Sequence, residues 1–229
     1  MSDPVLLITG ASSGIGEATA REAAKAGYRL VLAARSEDKL RAVQEAVGGP
    51  ERALIVRCDV QSQEDQKQMV ERALDTFGQI DAVFANAGRG GSAGGFSGAD
   101  PDSWRDMILT NVYGVGLTVQ ACLPALRESR GHMLLTGSAA GRVTIAGSMY
   151  SATKWAVSAI GYGLREEIRG SGIRVTLIEP GMVDTPFFDQ PPEQALEPED
   201  IGRAVVYALS QPAHVDVNEL LIRPTPAIK

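Results

Sequence analysis

Apolar residues recur along this chain in short unbroken runs, and between the runs they return at helical spacing. Val5-Leu6-Leu7-Ile8 leads into a Gly/Ser cluster and then an Ala-rich stretch from Ile15 to a stop at Gly27, which predicts strand, glycine turn and helix. Further runs at Leu30 to Ala34, Ala53 to Val56, Ala82 to Ala85, His132 to Thr136, Ile173 to Ile178 and Glu219 to Ile222 predict more strands. Between them, Leu40, Val43 and Val47 share one helical face, as do Met69, Val70, Ala73, Leu74 and Phe77. A helix capped by Asp102 or Ser103 carries Met107, Ile108, Val112, Val115, Val119, Leu123 and Leu126. Another runs from about Ser148 to Ile168, and a last from Glu199 to Leu209. Strands that are apolar throughout and alternate with helices predict a parallel sheet covered on both faces. No internal repeat and no linker divides the chain, so residues 1–229 are expected to form one domain. The Gly-rich stretch Gly88 to Gly98 reads as a functional loop rather than a boundary.

Charge narrows the partners. The 229 residues carry 22 Lys+Arg against 28 Asp+Glu, a net −6, with no basic run of the kind phosphate backbones or anionic membranes need. A small-molecule partner is expected, and neither nucleic acid nor membrane. No apolar stretch approaches the roughly 18 residues that span a bilayer, and Met1-Ser2-Asp3-Pro4 lacks a positive signal-peptide start, so a cytoplasmic location is expected. Cys58 and Cys122 are far apart within apolar runs and read as buried thiols. His132 and His214 are equally distant, and no Cys/His pair has ligand spacing, so no metal is expected.

The first turn carries the strongest chemical signal. Thr9-Gly10-Ala11-Ser12-Ser13-Gly14-Ile15-Gly16 puts glycines where a tight turn, a close approach to phosphate and close helix–strand packing are needed, at a helix N-terminus. That is a dinucleotide site, although its spacing departs from G-x-G-x-x-G. Tyr150 and Lys154 are four residues apart and share a helical face, so an ammonium can stabilise a phenolate and lower the tyrosine pKa toward neutrality. Ser138 follows the fifth strand, at the end of the sheet where ligands of open α/β folds lie.

Gly-x-x-x-Gly-x-Gly at this place resembles the short-chain dehydrogenase/reductases. The resemblance is also carried by Asn86-Ala87-Gly88, Asn111, Ser138, Tyr150-Ser151-Ala152-Thr153-Lys154 and Pro180-Gly181, and covers nearly the whole chain. Ala33-Ala34-Arg35 and His214-Val215-Asp216-Val217-Asn218-Glu219 look closest to the NADP-dependent branch of clavaldehyde and 3-hydroxy acid dehydrogenases. The resemblance implies a three-layer Rossmann-type, doubly wound sheet of about seven strands. It implies a catalytic set of Asn111, Ser138, Tyr150 and Lys154, with Tyr150 exchanging the proton, Lys154 also gripping the nicotinamide ribose, Ser138 holding the substrate oxygen, and Asn111 holding a relay water. Cofactor contacts are implied for Gly10, Ser12, Ser13, Gly14, Ile15 and Gly16 in the first turn. They are implied also for Asp59 and Val60 beside the adenine, and for Asn86, Ala87 and Gly88 after the fourth strand. Pro180, Gly181, Val183 and Thr185 complete the set. Ala85, Gly137 and Glu179 depart from common family residues.

An acidic residue about 20 positions after the fingerprint would bind a ribose 2′-hydroxyl, whereas a cation accommodates a 2′-phosphate. Arg35 stands there, assisted by Ser12, so NADP(H) is expected over NAD, with Glu37 or Asp38 as the competing reading. A short substrate lid is expected around 182–198, including Phe187, Phe188 and Gln190-Pro191-Pro192, and Arg89 or Arg142 could meet a substrate carboxylate. Apolar residues on more than one face of the Asn111 helix and of the Tyr150 helix (Trp155, Val157, Ile160, Leu164) predict a homo-oligomer, dimer or tetramer. The expected reaction is interconversion of a secondary alcohol or hydroxy acid and its carbonyl compound. Two alternatives are a 3-ketoacyl-thioester reductase of lipid synthesis and a non-catalytic NADP-binding redox regulator.

Overall fold

The computed structural model describes residues 3–188, 190 and 192–226. Its strands are β1 (Val5–Thr9), β2 (Arg29–Ala34), β3 (Ala53–Arg57), β4 (Ala82–Ala85), β5 (His132–Thr136), β6 (Arg174–Pro180) and β7 (Glu219–Ile222). They form one parallel seven-stranded sheet in the order β3-β2-β1-β4-β5-β6-β7. The order reverses between β1 and β4, which opens a crevice at the carboxyl ends of the strands.

Helices cover both faces, which explains why the strands are apolar throughout. Val5 and Leu7 of β1 and Val31 and Ala33 of β2 face α3 (Gln63–Phe77), α6 (Gly114–Ser129) and α7 (Met149–Glu167). Their neighbours Leu6, Ile8, Leu30 and Leu32 face α1 (Gly14–Lys25), α2 (Glu37–Ala46) and α8 (Pro198–Ser210). Phe84 of β4 is fully buried on that second side. Both thiols are buried, and burial pushes Cys58 and Cys122 up to about 12.

Two features differ from expectation. Asp100 caps the helix before the Asn111 region: its carboxylate accepts from the N–H groups of Asp102 and Ser103, and Pro101 takes the first helical position. Asp102 and Ser103, the expected caps, are therefore first-turn donors. The predicted single helix is also three pieces, α5 (Pro101–Ile108), a π turn (Leu109–Tyr113) and α6. Together the run Pro101–Ser129 is long and apolar enough to cross a membrane by length and composition, which the residue-run criterion did not detect. Its Val115, Cys122, Ala125 and Leu126 are core residues packed against the sheet.

Between Gly88 and α5 the chain forms a loop with one short helical turn, α4 (Gly95–Gly98). After β6, Val183 pairs with Leu196, and backbone bonds from Asp184 to Leu196 and from Leu196 to Met182 close the base of a loop. Asp189 and Pro191 of the expected lid lie outside the described residues.

Candidate active site

The crevice is a cleft of about 570 Å³. One half is made by backbone. Gly10 and Gly14 adopt φ of +66° and +56°, and a Cβ on Gly16 would stand 2.2 Å from the carbonyl oxygen of Gly10. Only glycine lets the turn fold back on the start of α1 so closely. Asn86 holds the turn from below: its amide donates to the carbonyls of Thr9 and Gly10, and its Oδ1 accepts from Thr136. Thr9 Oγ1 accepts from the N–H groups of both Asn86 and Ala87. Ser13, at the cap position of α1, makes no capping bond, which leaves its hydroxyl and the first-turn N–H groups directed at the cleft.

Gly10, Ser12, Ser13, Gly14 and Ile15 line the cleft; Gly16 does not, because it is packed beneath Gly10. Asp59, Val60, Asn86, Ala87 and Gly88 line its middle. Asp59 is fixed by its N–H bond to Asp65 and by accepting from the N–H of Gln61. Arg35 lines the far end, exposed, and Glu37 points away into a pair with Arg41. Ser36 and Lys39 flank Arg35, and sequence reading missed both. No local pattern marked them, because Glu37 and Asp38 already supply the anions that the first turn of α2 favours.

The other half is made by side chains. Ser138 lies just past β5, its hydroxyl accepting from the N–H of Ala140 and donating to the carbonyl of Pro180 at 3.4 Å. Tyr150 and Lys154 project from α7, with the Lys154 nitrogen 5.6 Å from the Tyr150 ring centroid. Lys154 is 5% exposed and donates to the carbonyl of Thr136 at 2.8 Å. Burial holds its ammonium down to about 8. The expectation that Lys154 lowers the Tyr150 pKa is not met in this state: burial raises it, and only a hydrogen bond with Ser138 opposes the rise. Pro180, Gly181, Val183 and Thr185 line the same half, and the Phe187 ring sits 5.6 Å from that of Tyr150.

Asn111 is not at the cleft surface. It is 1% exposed inside the π turn, accepting from the N–H of Arg89 and donating to the carbonyl of Arg89 and to Thr153. It fixes the start of the Gly-rich loop against α7. The π turn itself widens the helix at this point, a distortion that recurs at functional sites.

The two arginines differ: Arg142 is captured by carboxylates away from the cleft lining, whereas Arg89 lines the cleft and makes an exposed surface pair. Arg142 donates to both oxygens of fully buried Glu179 and pairs with Glu219, and these bonds raise its pKa further. Arg89 pairs with Asp106 at 2.8 Å.

A glycine turn at a helix N-terminus and a set of half-buried Tyr150 with buried Lys154 and Ser138 thus share one cleft in a doubly wound sheet. The chain matches the short chain dehydrogenase family over residues 4–195. It is a short-chain dehydrogenase. Uncharacterized oxidoreductases of Staphylococcus aureus (strain MW2) and Staphylococcus saprophyticus are each 40% identical to this short-chain dehydrogenase over 98% of both chains. An alcohol dehydrogenase of the archaeon Thermococcus sibiricus, solved with 5-hydroxy-NADP, superposes with a TM-score of 0.90 at 33% identity, covering 98% of this chain and 99% of that one. Serine dehydrogenase of Escherichia coli gives 0.86 at 32% identity, over 95% and 96%. Membership of this oxidoreductase family is therefore established for the short-chain dehydrogenase described here.

Proposed function

We propose that the protein is an NADP(H)-dependent oxidoreductase that interconverts a secondary alcohol or hydroxy acid and its carbonyl compound. The observation that carries this reading is the convergence of Ser138, Tyr150 and Lys154 on the cleft that the glycine turn opens. The turn fits a dinucleotide, since Gly10 and Gly14 present backbone to the cleft at positive φ and α1 offers N–H groups at its start. When bound, NADPH supplies a hydride to the carbonyl carbon.

The remaining work falls to the chain. Ser138 donates a hydrogen bond to the substrate oxygen and orients the carbonyl. Tyr150, held neutral by burial, gives its proton to that oxygen as charge develops there. Lys154 stays close beneath and stabilises the phenolate that remains until a proton returns. Asn111 acts through position, keeping the π turn and the Gly-rich loop in register with α7. Phe187, set against Tyr150, serves as the described part of the lid over the reacting centre.

Selectivity for NADP(H) rests on Arg35, with Ser12 and Lys39 beside it; of the competing acids, neither Glu37, which pairs with Arg41, nor Asp38 lines the cleft. The π turn exposes Tyr113 and α7 exposes Trp155 and Tyr162, and we read these faces, with the adjoining α6, as the contact of a homo-oligomer. A monomer in light scattering at micromolar concentration would overturn that assignment. The acidic surface suits a cytoplasmic enzyme with a small-molecule substrate.

The decisive experiment follows NADPH and NADH oxidation against ketones, aldehydes, β-keto acids and β-ketoacyl thioesters, with wild type and Tyr150→Phe together. Turnover should fall by about a thousandfold in the variant, with NADPH affinity unchanged. Equal turnover in the two proteins removes the mechanism, and a thioester as best substrate moves the enzyme to lipid synthesis.

A further inference from the structure

We infer that Glu179 and Arg142, which stand behind the cleft lining, form a positioning pair that sets Ser138 against Tyr150 and Lys154; this rests on the carbonyl-reductase reading above. Glu179 lies in β6 just before Pro180 and is fully buried. Both its oxygens accept from Nε of Arg142, at 2.8 and 2.9 Å. The Arg142 Nη2 also bridges Glu179 to Glu219 of β7, and Glu219 accepts a further bond from Tyr162 of α7. Burying such a pair strips each charge of water, and apolar residues of similar size would hold the core as well or better. What the pair adds is direction.

Its contacts lead to the reacting groups. Arg142 ends the turn that Ser138 begins, and a Cβ on Gly137, the residue before Ser138, would stand 2.9 Å from Cγ of Glu179. The Glu179 side chain thus holds the Ser138 turn at both ends. Pro180, the next residue, accepts the Ser138 hydroxyl at 3.4 Å. On the other side, Ser158 Oγ stands 3.4 Å from Oε1 of Glu179 and 3.3 Å from the carbonyl oxygen of Lys154, one helical turn earlier in α7. A Cβ on Gly141 would come within 2.8 Å of that same carbonyl, so turn and helix meet there. Glu179 therefore touches the carrier of Ser138 and the carrier of Tyr150 and Lys154 at once. A shift of about 1 Å between such groups can cost about a hundredfold in rate.

Glu179→Gln keeps the shape but turns one acceptor into a donor that faces Arg142. With a ketone that wild type reduces, kcat should fall by about a hundredfold, while NADPH affinity in calorimetry stays at the wild-type value. The pH profile of alcohol oxidation identifies the cause. Lys154 and Ser138 face the Tyr150 side chain, and the bond with Ser138 opposes the rise in its pKa. Displacing Ser138 should move the Tyr150 limb of the profile to higher pH, whereas loss of a negative charge alone would move it lower. An unmoved limb would assign the pair to stability and a lowered one to electrostatics, and either overturns the inference. The double variant Glu179→Met with Arg142→Met guards against a folding defect: its melting temperature should equal or exceed that of wild type, and its kcat should stay low. A Met pair with wild-type turnover also overturns the positioning role, and leaves the oxidoreductase standing. If wild type itself reduces no ketone and oxidises no alcohol, both readings fall.

Discussion

The two halves of the cleft are built from different materials. On the cofactor side the contact surface is backbone, pressed into the core by Gly10, Gly16, Asn86 and Thr9, so that a ligand would meet atoms that cannot move without disturbing β1 and β4. On the opposite side, Phe187 and Phe188 stand on a loop, and Phe187 remains substantially exposed. The difference teaches that binding of a common cofactor can be a by-product of packing, while substrate choice sits where substitutions disturb little else.

The sharpest way to break the comparison is Gly16→Ala. A methyl 2.2 Å from the Gly10 carbonyl must displace backbone, costing about 3 kcal/mol. Melting temperature should fall by roughly 10 °C, and NADPH binding, read by calorimetry, should weaken by about a hundredfold. A variant with unchanged affinity would show that the turn is not the cofactor's seat.

Lys154→Met probes the junction between the halves. Turnover should vanish, yet the native state should gain about 2 kcal/mol near neutral pH, because a buried ammonium is removed and only one hydrogen bond lost. The pH dependence has a definite sign. The folded-state value of about 8 lies below the unfolded 10.5, so between them the unfolded chain binds more protons and wild type gains stability as pH rises. The advantage of the variant in urea titrations should therefore be full below pH 8 and disappear toward pH 10.5. An advantage that does not vary with pH would point to packing instead of charge.

Arg35→Asp should reverse the preference for NADPH over NADH by about tenfold or more in kcat/KM, with stability unaffected because Arg35 is exposed. Preserved preference would assign the phosphate to Lys39. Phe187→Ala should have the smallest effect, a severalfold rise in KM for aromatic ketones with little change in melting temperature, as its ring is 41% exposed. A large loss of stability there would erase the distinction between the halves.

The same contrast explains what could be read from the chain. The strands, the glycine turn and the Tyr150/Lys154 pair are local patterns with fixed periods, and they stand where the periods put them. What was not legible is non-local or context-bound. Arg142 meets Glu179 and Glu219 from distant parts of the sequence, so its capture by two carboxylates leaves no local trace. The start of α5 was misplaced because Asp100, Asp102 and Ser103 all suit a cap, and Pro101 is what selects Asp100. The π turn depends on Asn111 bonding Arg89 and Thr153, again across the chain. The direction of the Tyr150 shift needed burial, which helical spacing does not report.

The pairing of Val183 with Leu196 makes the segment between them a cassette with pinned ends. Because closing a flexible loop becomes harder only with the logarithm of its length, doubling this one would cost about 0.6 kcal/mol. Longer or shorter inserts could thus be exchanged here in evolution or by design without shifting Pro180-Gly181, so the scaffold can change clientele by grafting rather than by remodelling.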